Sequence, residues 1–458
     1  MRKWLPLIAV CLGTFMLLLD VTIVVVALPT VADTLHTGID ELQWVLDGYA
    51  LALAALLLGA GAVADRLGRR RTYLIGLVVF ALASLACAAA PNAELLIAGR
   101  IVQGAGGAAM YAMTVTLLNL AYEGRDRGVA FGVWGAVSGL AAAAGPLAGG
   151  LIAEHLSWRW IFLVNVPVSV LTIWLTARSV AESRGARAAR VDVAGIATFT
   201  AGAGLLTYAL IGADAHGWTS ARTLGLLALS AAALLAFVLV ERAVPAPMLD
   251  LALFRMPAFG AVMMAALLFQ AAAFGYLPYT ILWLQDVLGH GPVGAGALGS
   301  LPMPVAAFVV SAMFGRRLHH ASPRWTIGVG LLLVGAGDLL QTLVGPGSGG
   351  VVLIPGLVVA GLGVGAATPM LAAAALAAVP PQRAGMAGGA VNTFRQIGFT
   401  LGVAVFGAVF QHRLGAAPDR GAYASAVDGA LLWAGVAALA GAVLVFTLLR
   451  TRQPAPVS

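Results

Sequence analysis

The stretch RIVQGAGGAAMY, residues 100–111, places an arginine and a glutamine inside a segment that is otherwise apolar enough for a membrane. A charge at the centre of a membrane-spanning helix costs roughly 2.5–3.5 kcal/mol on insertion scales, and such charges usually mark an ion or substrate path. On a helix, Arg100, Gly104 and Gly107 share one face with Gln103 beside them, so a neighbouring helix or an aqueous cavity can come close. Arg100 is therefore predicted to supply a fixed positive charge. The alternative is a structural arginine satisfied by backbone carbonyls.

The acidic partner predicted for this charge is Asp20, which lies within the apolar run MLLLDVTIVVVALP. Burial favours the protonated form of a carboxyl group, whereas a cationic neighbour favours the charged form. The affinity of Asp20 for protons can thus change with conformation, which is the chemistry of a proton-coupling switch. Asp338, in VGAGDLLQTL, is a second candidate.

The elements that must position these residues are membrane-spanning helices. Of the 458 residues, 61% are hydrophobic and 10% are charged, and the mean hydropathy is +0.96. A soluble protein could not cover so much apolar surface, so the composition predicts an all-α, polytopic membrane protein. Fourteen spans are predicted, at residues 4–28, 44–64, 72–90, 95–119, 128–152, 160–180, 192–212, 222–241, 257–285, 292–314, 325–344, 350–375, 385–410 and 427–449.

The distribution of basic residues predicts the orientation of these spans. Twenty of the 26 Lys and Arg residues fall on the side that holds both termini, whereas four fall on the other side and two lie within spans. By the positive-inside rule, both termini are expected in the cytoplasm and the protein in the cell membrane. Because these charges are spread over short loops beside helix ends, the net charge of +7 does not indicate nucleic-acid binding.

Several classes of function are disfavoured by what the sequence lacks. Lys3 is the only lysine, so a phosphate-binding loop that ends in Gly-Lys-Ser/Thr is impossible. All seven histidines fall in predicted loops, and no His/Cys/carboxylate cluster has ligand spacing within a span. No metal and no other cofactor is therefore expected. A membrane-embedded enzyme would need a nucleophilic or metal constellation that the chain does not offer.

Two faint internal matches suggest a duplicated architecture. LDVTIV at 19–24 resembles LPYTIL at 277–282, and GVAFG at 128–132 resembles GMAGG at 385–389. The shared offset predicts two related six-helix bundles facing a central pathway, as in secondary transporters. The predicted units are an N-terminal bundle (1–181), two additional helices with their linkers (182–250), a C-terminal bundle (251–450) and a tail (451–458).

The fifth predicted span carries a stripe of glycines that favours close helix packing. Gly128, Gly132, Gly135 and Gly139 recur at helical spacing, and GPLAGG follows at 145–150. Such a stripe lets two backbones meet, and Gly145-Pro146 permits a bend. A kinkable interface of this kind could also seal the membrane against ion leak.

Several sequence motifs, which follow one another along the chain, resemble motifs of the major facilitator superfamily. GAVADRLGRRR (61–71) is similar to its loop between the second and third spans, RIVQGAGGAA (100–109) to its fourth-span motif, and GLAAAAGPLAGG (139–150) to its antiporter motif. Four further stretches resemble one subgroup of that superfamily, the fourteen-span drug:proton antiporters. These are LLLDVTIVVVALP (17–29), WVLDGYAL (44–51), WRWIFLVNVP (158–167) and NTFRQIGFTLG (392–402). One departure is Val25, where that family often carries Asn.

The resemblance implies roles for individual residues. Proton coupling is implied for Asp20, Arg100 and Gln103, a conformational latch for Gly61, Asp65, Arg66, Gly68 and Arg69, and the antiporter bend for Gly139, Gly145, Pro146, Gly149 and Gly150. For the loop residues, a purely topogenic role of the charges remains the alternative. The residues expected to contact substrate are Gln270, Phe274, Tyr279, Trp283 and Asp338, with helix packing as the alternative for the aromatic ones.

The function implied is export of lipophilic drugs or antibiotics in exchange for protons, by alternating access of the two bundles. The expected partners are a small lipophilic substrate, protons and the lipid bilayer, and the protein is expected to be monomeric. Two alternatives stay open: a dedicated exporter of one endogenous natural product or metabolite, and a facilitator or channel without coupling.

Overall fold

A computed structural model describes residues 2–37, 39–184, 192–245, 247, 249–318, 322–345, 347–380, 383–415 and 419–449. Over these residues the fold is entirely helical, as the composition predicts. The predicted tail at 451–458 lies outside them.

The N-terminal half is built from seven helices. After a short 3₁₀ turn at Arg2–Trp4 they are α1 (Leu5–Leu35), α2 (Ile39–Leu67), α3 (Arg69–Ala88), α4 (Ala93–Ala121), α5 (Gly124–His155), α6 (Trp160–Leu163) and α7 (Asn165–Ser179). The sequence explains several of their ends. Pro6 stands in the first turn of α1, where its missing N–H costs nothing, and the Asn92 side chain accepts the Leu95 N–H at the start of α4.

The remaining helices follow in two groups. The additional pair is α8 (Val193–His216) and α9 (Ala221–Ala243). The C-terminal half comprises α10 (Pro257–Phe274), α11 (Leu277–Leu282), a π-helical turn (Trp283–Val287), α12 (Pro292–Gly299), α13 (Pro302–Leu318), α14 (Pro323–Gln341), α15 (Leu353–Ala377), α16 (Ala384–Leu414) and α17 (Arg420–Leu448). Short 3₁₀ turns lie at Leu251–Arg255 and Gly350–Val352.

The additional helices pack on each other and on the N-terminal half. Ser230 of α9 donates a hydrogen bond of 2.8 Å to the Gly202 carbonyl of α8. Thr200 of α8 donates one of 3.2 Å to the Ala55 carbonyl of α2. The pair therefore flanks the bundle beside α2.

Eleven helices are long and apolar enough to cross a membrane, or twelve if the bent pair α12–α13 is one span, over the part of the chain that the structure describes. The prediction of fourteen spans is therefore not confirmed. The two predicted spans outside this set are α5 and α14, which form helices of 32 and 19 residues. In α14, Arg324, Asp338 and Gln341 lower the mean hydropathy.

Two predicted spans of the C-terminal half contain irregularities. The predicted span 257–285 corresponds to one membrane-crossing stretch, Pro257–Val287, in which the helical hydrogen bonding is interrupted before α11 because Pro278 has no N–H to donate to the Phe274 carbonyl. The predicted span 292–314 bends by 47° between α12 and α13.

The glycines of α5 allow close packing on both halves. A Cβ at Gly149 would lie 2.8 Å from the Ile23 carbonyl oxygen of α1, and one at Gly145 would collide with Thr22. A Cβ at Gly139 would lie 3.2 Å from Pro304 Cβ of α13, in the other half. The helix continues through the GPLAGG motif, so these glycines serve as contact surfaces for α1 and α13.

Replacing Gly149 with valine is expected to destabilise the protein by about 1–3 kcal/mol, because the added methyl groups would overpack the contact with Ile23. Thermal unfolding of the purified protein in detergent would measure the change. The control is Gly225→Val on α9, where an added Cβ meets no atom within 4 Å. An equal melting temperature for the two variants would contradict the close approach of α1 and α5.

Candidate functional site: a buried carboxylate network in the N-terminal half

Asp20 lies in the middle of α1 with its side chain 0% exposed, and Arg100 of α4 is 1% exposed. Arg100 Nη1 donates to Asp20 Oδ2 at 2.5 Å, so the two residues form a buried ion pair. The structure thus brings together Asp20 and Arg100, the acid and the base whose pairing was predicted from the sequence. A buried charge of this kind is tolerated only when it is paired and its remaining hydrogen-bonding capacity is used.

Arg100 is held in place by three further interactions. Its Nε donates to the Val45 carbonyl of α2 at 2.9 Å, and its Nη1 also donates to Gln103 Oε1 at 2.6 Å. The guanidinium lies 4.2 Å from the centre of the Tyr49 ring, a cation–π arrangement. Arg100 therefore combines the predicted charge with the carbonyl contact of the alternative interpretation.

The second oxygen of Asp20 accepts two neutral hydrogen bonds. Gln103 Nε2 donates to Asp20 Oδ1 at 2.9 Å, and Asn165 Nδ2 donates to the same atom at 2.8 Å. Gln103 Nε2 also donates to Ser84 Oγ at 2.8 Å, which links α3 to the network. Asp20 is thus surrounded by donors from α4 and α7, with no polar group required at Val25.

The small residues of α4 make this geometry possible. A Cβ at Gly104 would overlap the backbone of Tyr49, and one at Gly107 would lie 3.2 Å from the Tyr49 hydroxyl oxygen. Because α2 approaches α4 this closely, the Val45 carbonyl and the Tyr49 ring can reach Arg100. The face predicted from the spacing of Arg100, Gly104 and Gly107 is the contact face with α2.

The donors to Asp20 come from two helices, so movement of α1 against α4 or α7 would change the number of hydrogen bonds that its carboxylate accepts. Three further side chains that sequence analysis did not assign to the network belong to it: Ser84, Asn165 and Tyr49. The only sequence signal for Asn165 and Tyr49 was their place inside quoted motifs, and Ser84 had none.

The predicted latch residues meet at the side of the bundle that holds the termini. Asp65 Oδ1 accepts hydrogen bonds from Arg69 Nε at 2.9 Å and Arg69 Nη2 at 2.8 Å, so α2 and α3 are joined by a bidentate ion pair. Asp65 Oδ2 accepts the backbone N–H of Met386, the third residue of α16, at 3.0 Å. A Cβ at Gly389 of α16 would lie 3.3 Å from Gly61 Cα. Arg66 is exposed.

The start of α3 shows why Gly68 stands in this loop. Gly68 adopts φ +113°, a conformation that side chains rarely allow, and a Cβ there would lie 2.7 Å from the Glu182 carboxyl group. Glu182 accepts the backbone N–H groups of Arg70 at 3.1 Å and Arg71 at 3.2 Å. A carboxylate at a helix N-terminus satisfies its free N–H groups and matches the helix dipole. Sequence analysis missed Glu182.

Contacts between α4 and α16 lie on the same side of the bundle as Asp65. Thr116 Oγ1 donates to the Ala384 carbonyl at 3.0 Å, and Asn392 Nδ2 donates to the Tyr111 carbonyl at 2.8 Å. Both bonds join α4 to α16, so the two halves touch on the side of Asp65.

Asp65→Asn is expected to weaken the contact between the two halves. A thiol introduced by Ala387→Cys, at a buried position in α16, should then react several-fold faster. The labelling rate with a maleimide in a Cys11→Ala, Cys87→Ala background would measure it. Asp33→Asn, an exposed acid near the other end of α1, is the matched control. Equal labelling rates with and without Asp65→Asn would show that the ion pair does not hold the halves together.

The residues predicted to contact substrate are dispersed. Gln270 of α10 accepts a hydrogen bond of 3.0 Å from Arg395 Nε of α16. Tyr279 donates to the Val403 carbonyl at 2.6 Å, and Phe274 packs against the core. Trp283 is buried at 1% exposure. The fifth residue, Asp338, is buried in α14, and substrate contact remains a prediction for all five.

No group of three or more His, Cys, Asp or Glu side chains suited to a metal ion occurs among the residues with a described position. The histidines differ in one respect from the prediction, since His155, His216 and His412 lie in the last turns of α5, α8 and α16 rather than in loops. Both cysteines are free and buried.

A bundle of apolar helices with a buried polar network is typical of multi-pass membrane transporters. Residues 10–403 match the model of the Major Facilitator Superfamily, and the chain belongs to that family. The human organic anion transporter MFSD10 has a similar fold, with a TM-score of 0.68 and 14% identity over 97% of this chain and 99% of that one.

Curated relatives are named for resistance and export. The multidrug resistance protein Stp of Mycobacterium tuberculosis is 38% identical over 88% of this chain and 75% of its own length. The tetracenomycin C resistance and export protein of Streptomyces glaucescens is 33% identical, over 93% and 79%. The puromycin resistance protein of Streptomyces alboniger is 37% identical, over 89% and 82%.

Proposed function

We propose that this transporter exports lipophilic drugs or antibiotics across the cell membrane in exchange for protons, with Asp20 as the proton-binding residue. The observation that carries the proposal is the buried Asp20–Arg100 pair together with Gln103 and Asn165. The names of the relatives support the substrate class. The protein acts as a monomer with both termini in the cytoplasm and fourteen spans.

The proposed cycle uses these contacts. When a proton neutralises Asp20, its attraction to Arg100 weakens and the contacts between α1, α4 and α7 loosen. When the proton leaves, the ion pair re-forms and tightens this half. Alternating access then requires the contacts of Asp65, Thr116 and Asn392 with α16 to break and re-form as the two halves rock.

The test is substrate-driven proton movement in proteoliposomes that contain a pH-sensitive dye. The purified protein is compared with Asp20→Asn and with Asp33→Asn, an exposed acid on the same helix. The expected result is proton flux triggered by a lipophilic antibiotic in the unchanged protein and in Asp33→Asn, and its loss in Asp20→Asn. Equal drug movement in all three proteins without a proton signal would favour a facilitator or channel.

A dedicated exporter of one natural product is the second candidate, because relatives carry the names of single antibiotics, tetracenomycin C and puromycin. The panel therefore includes both compounds beside neutral and cationic lipophilic antibiotics. Flux with a single compound supports the dedicated exporter, and flux with several supports a multidrug pump.

A further inference from the structure

The C-terminal half contains a second buried acid that the proposed cycle does not use. Asp338, in the last turn of α14, is 0% exposed. Neither of its carboxyl oxygens has a hydrogen bond of normal geometry to any described residue. Asp20 differs in this respect, since its two carboxylate oxygens accept three hydrogen bonds.

Two other polar side chains are buried with it. The Tyr276 hydroxyl lies beside the Asp338 carboxyl and accepts a hydrogen bond of 3.0 Å from Gln341 Nε2. Gln341 Oε1 is buried and lacks a donor among the described residues. The hydrogen of the Tyr276 hydroxyl can serve one of these oxygens, and a hydrogen carried by the Asp338 carboxyl would supply a second donor to the cluster.

The elements packed around Asp338 offer no positive charge. Neither α10 nor α15 contains an ionisable residue. On α17 the ionisable residues are Arg420, Tyr423 and Asp428, and the charge that acts on Asp428 is Arg413. α17 contacts α14 at Gly435, which follows Asp428 along α17 and lies against Leu339. A buried carboxylate with no cation nearby is neutralised by binding a proton.

The helices that enclose Asp338 meet backbone to backbone. A Cβ at Gly337 of α14 would overlap Ala360 of α15, and one at Gly356 of α15 would overlap the Gln341 side chain. Water therefore has no room between α14 and α15. Tyr276, which lies between α10 and α11, borders the Asp338 carboxyl from another side.

Tyr276 belongs to a segment with two departures from regular α-helical hydrogen bonding. Pro278 removes one backbone donor at the start of α11, and the π-helical turn Trp283–Val287 follows α11. Such breaks in a membrane helix absorb changes in backbone angle. Movement of this segment would remove the Tyr276 hydroxyl from Asp338 and open a route for water.

We propose that Asp338 is a second proton-binding residue of this transporter. Asp338 is protonated in the conformation described, and it releases its proton when the segment 275–287 moves away from α14. The two halves then each contain one proton site between their first and third helices, since Ser84 of α3 joins the Asp20 network in the first half. Its coupling to transport rests on the proposed function, whereas the protonation itself does not.

The protonation is tested by infrared spectroscopy of the purified full chain at neutral pH. The C=O stretch of a protonated carboxyl is compared in the unchanged protein, Asp338→Asn, Asp20→Asn and Tyr276→Phe. We expect a band that Asp338→Asn removes, that Asp20→Asn leaves in place and that Tyr276→Phe shifts. Identical spectra for the unchanged protein and Asp338→Asn, both correctly folded, would overturn the proposal.

The release of the proton is tested by transport. Asp338→Asn keeps a neutral group of the same shape, so it is expected to fold but to lose transport several-fold and to flatten its dependence on pH. An unchanged rate and pH profile would show that Asp338 is a permanently neutral structural acid. If Asp20→Asn retains coupling, the proposed function fails, yet the infrared result for Asp338 still stands or falls by itself.

Discussion

Arg100→Met is expected to abolish proton-coupled transport and to destabilise the protein by about 3–5 kcal/mol, because removal of one partner leaves the Asp20 carboxylate buried without a counter-charge. Methionine fills a similar volume, so the loss comes from the charge and its hydrogen bonds. The melting temperature in detergent and antibiotic-driven proton flux in proteoliposomes measure the two effects. Arg222→Met, an exposed arginine at the start of α9, is the control.

The double variant Asp20→Asn, Arg100→Met separates stability from transport. With both charges removed, most of the lost stability should return, because no unpaired charge stays buried, whereas proton coupling should remain absent. Arg100→Lys should not rescue transport, because a single ammonium group cannot hold the Val45 carbonyl, Gln103 and Asp20 together. A double variant as unstable as Arg100→Met would contradict a direct ion pair.

Asn165→Leu is expected to cost about 1–3 kcal/mol, since Asp20 Oδ1 loses one of its two donors. The larger effect concerns transport. Antibiotic-driven proton flux is expected to fall several-fold, because Asn165 is the side chain of α7 that donates to Asp20.

The control for this variant is Asn119→Leu, a partly exposed asparagine of α4 outside the network. The melting temperature in detergent and antibiotic-driven proton flux are measured for the two variants and the unchanged protein. Values for Asn165→Leu that equal those of the control would show that Asn165 does not act on Asp20.

The helical nature of the chain and the pairing of Asp20 with Arg100 could be predicted because they depend on local signals. Apolar runs of sufficient length predict helices, and a charge at membrane depth predicts a partner. The spacing of Arg100, Gly104 and Gly107 was enough to predict one face of α4. These inferences need no knowledge of how the helices pack.

The rest of the site depends on packing between distant segments. Asn165 and Ser84 lie 145 and 64 residues from Asp20, and an isolated polar residue in a span has no sequence mark that tells which neighbour it will meet. Glu182 was missed for the same reason, because its role depends on the return of the chain to the start of α3.

The Asp20 network has a property that bears on the evolution of the protein. Each of its side chains, and the Val45 carbonyl that fixes Arg100, lies between residues 20 and 165. The network is therefore encoded by one contiguous segment, and changes later in the gene leave its side chains in place. Under the proposed function, recombination between relatives downstream of residue 180 should yield chimeras that keep proton coupling and exchange cargo preference.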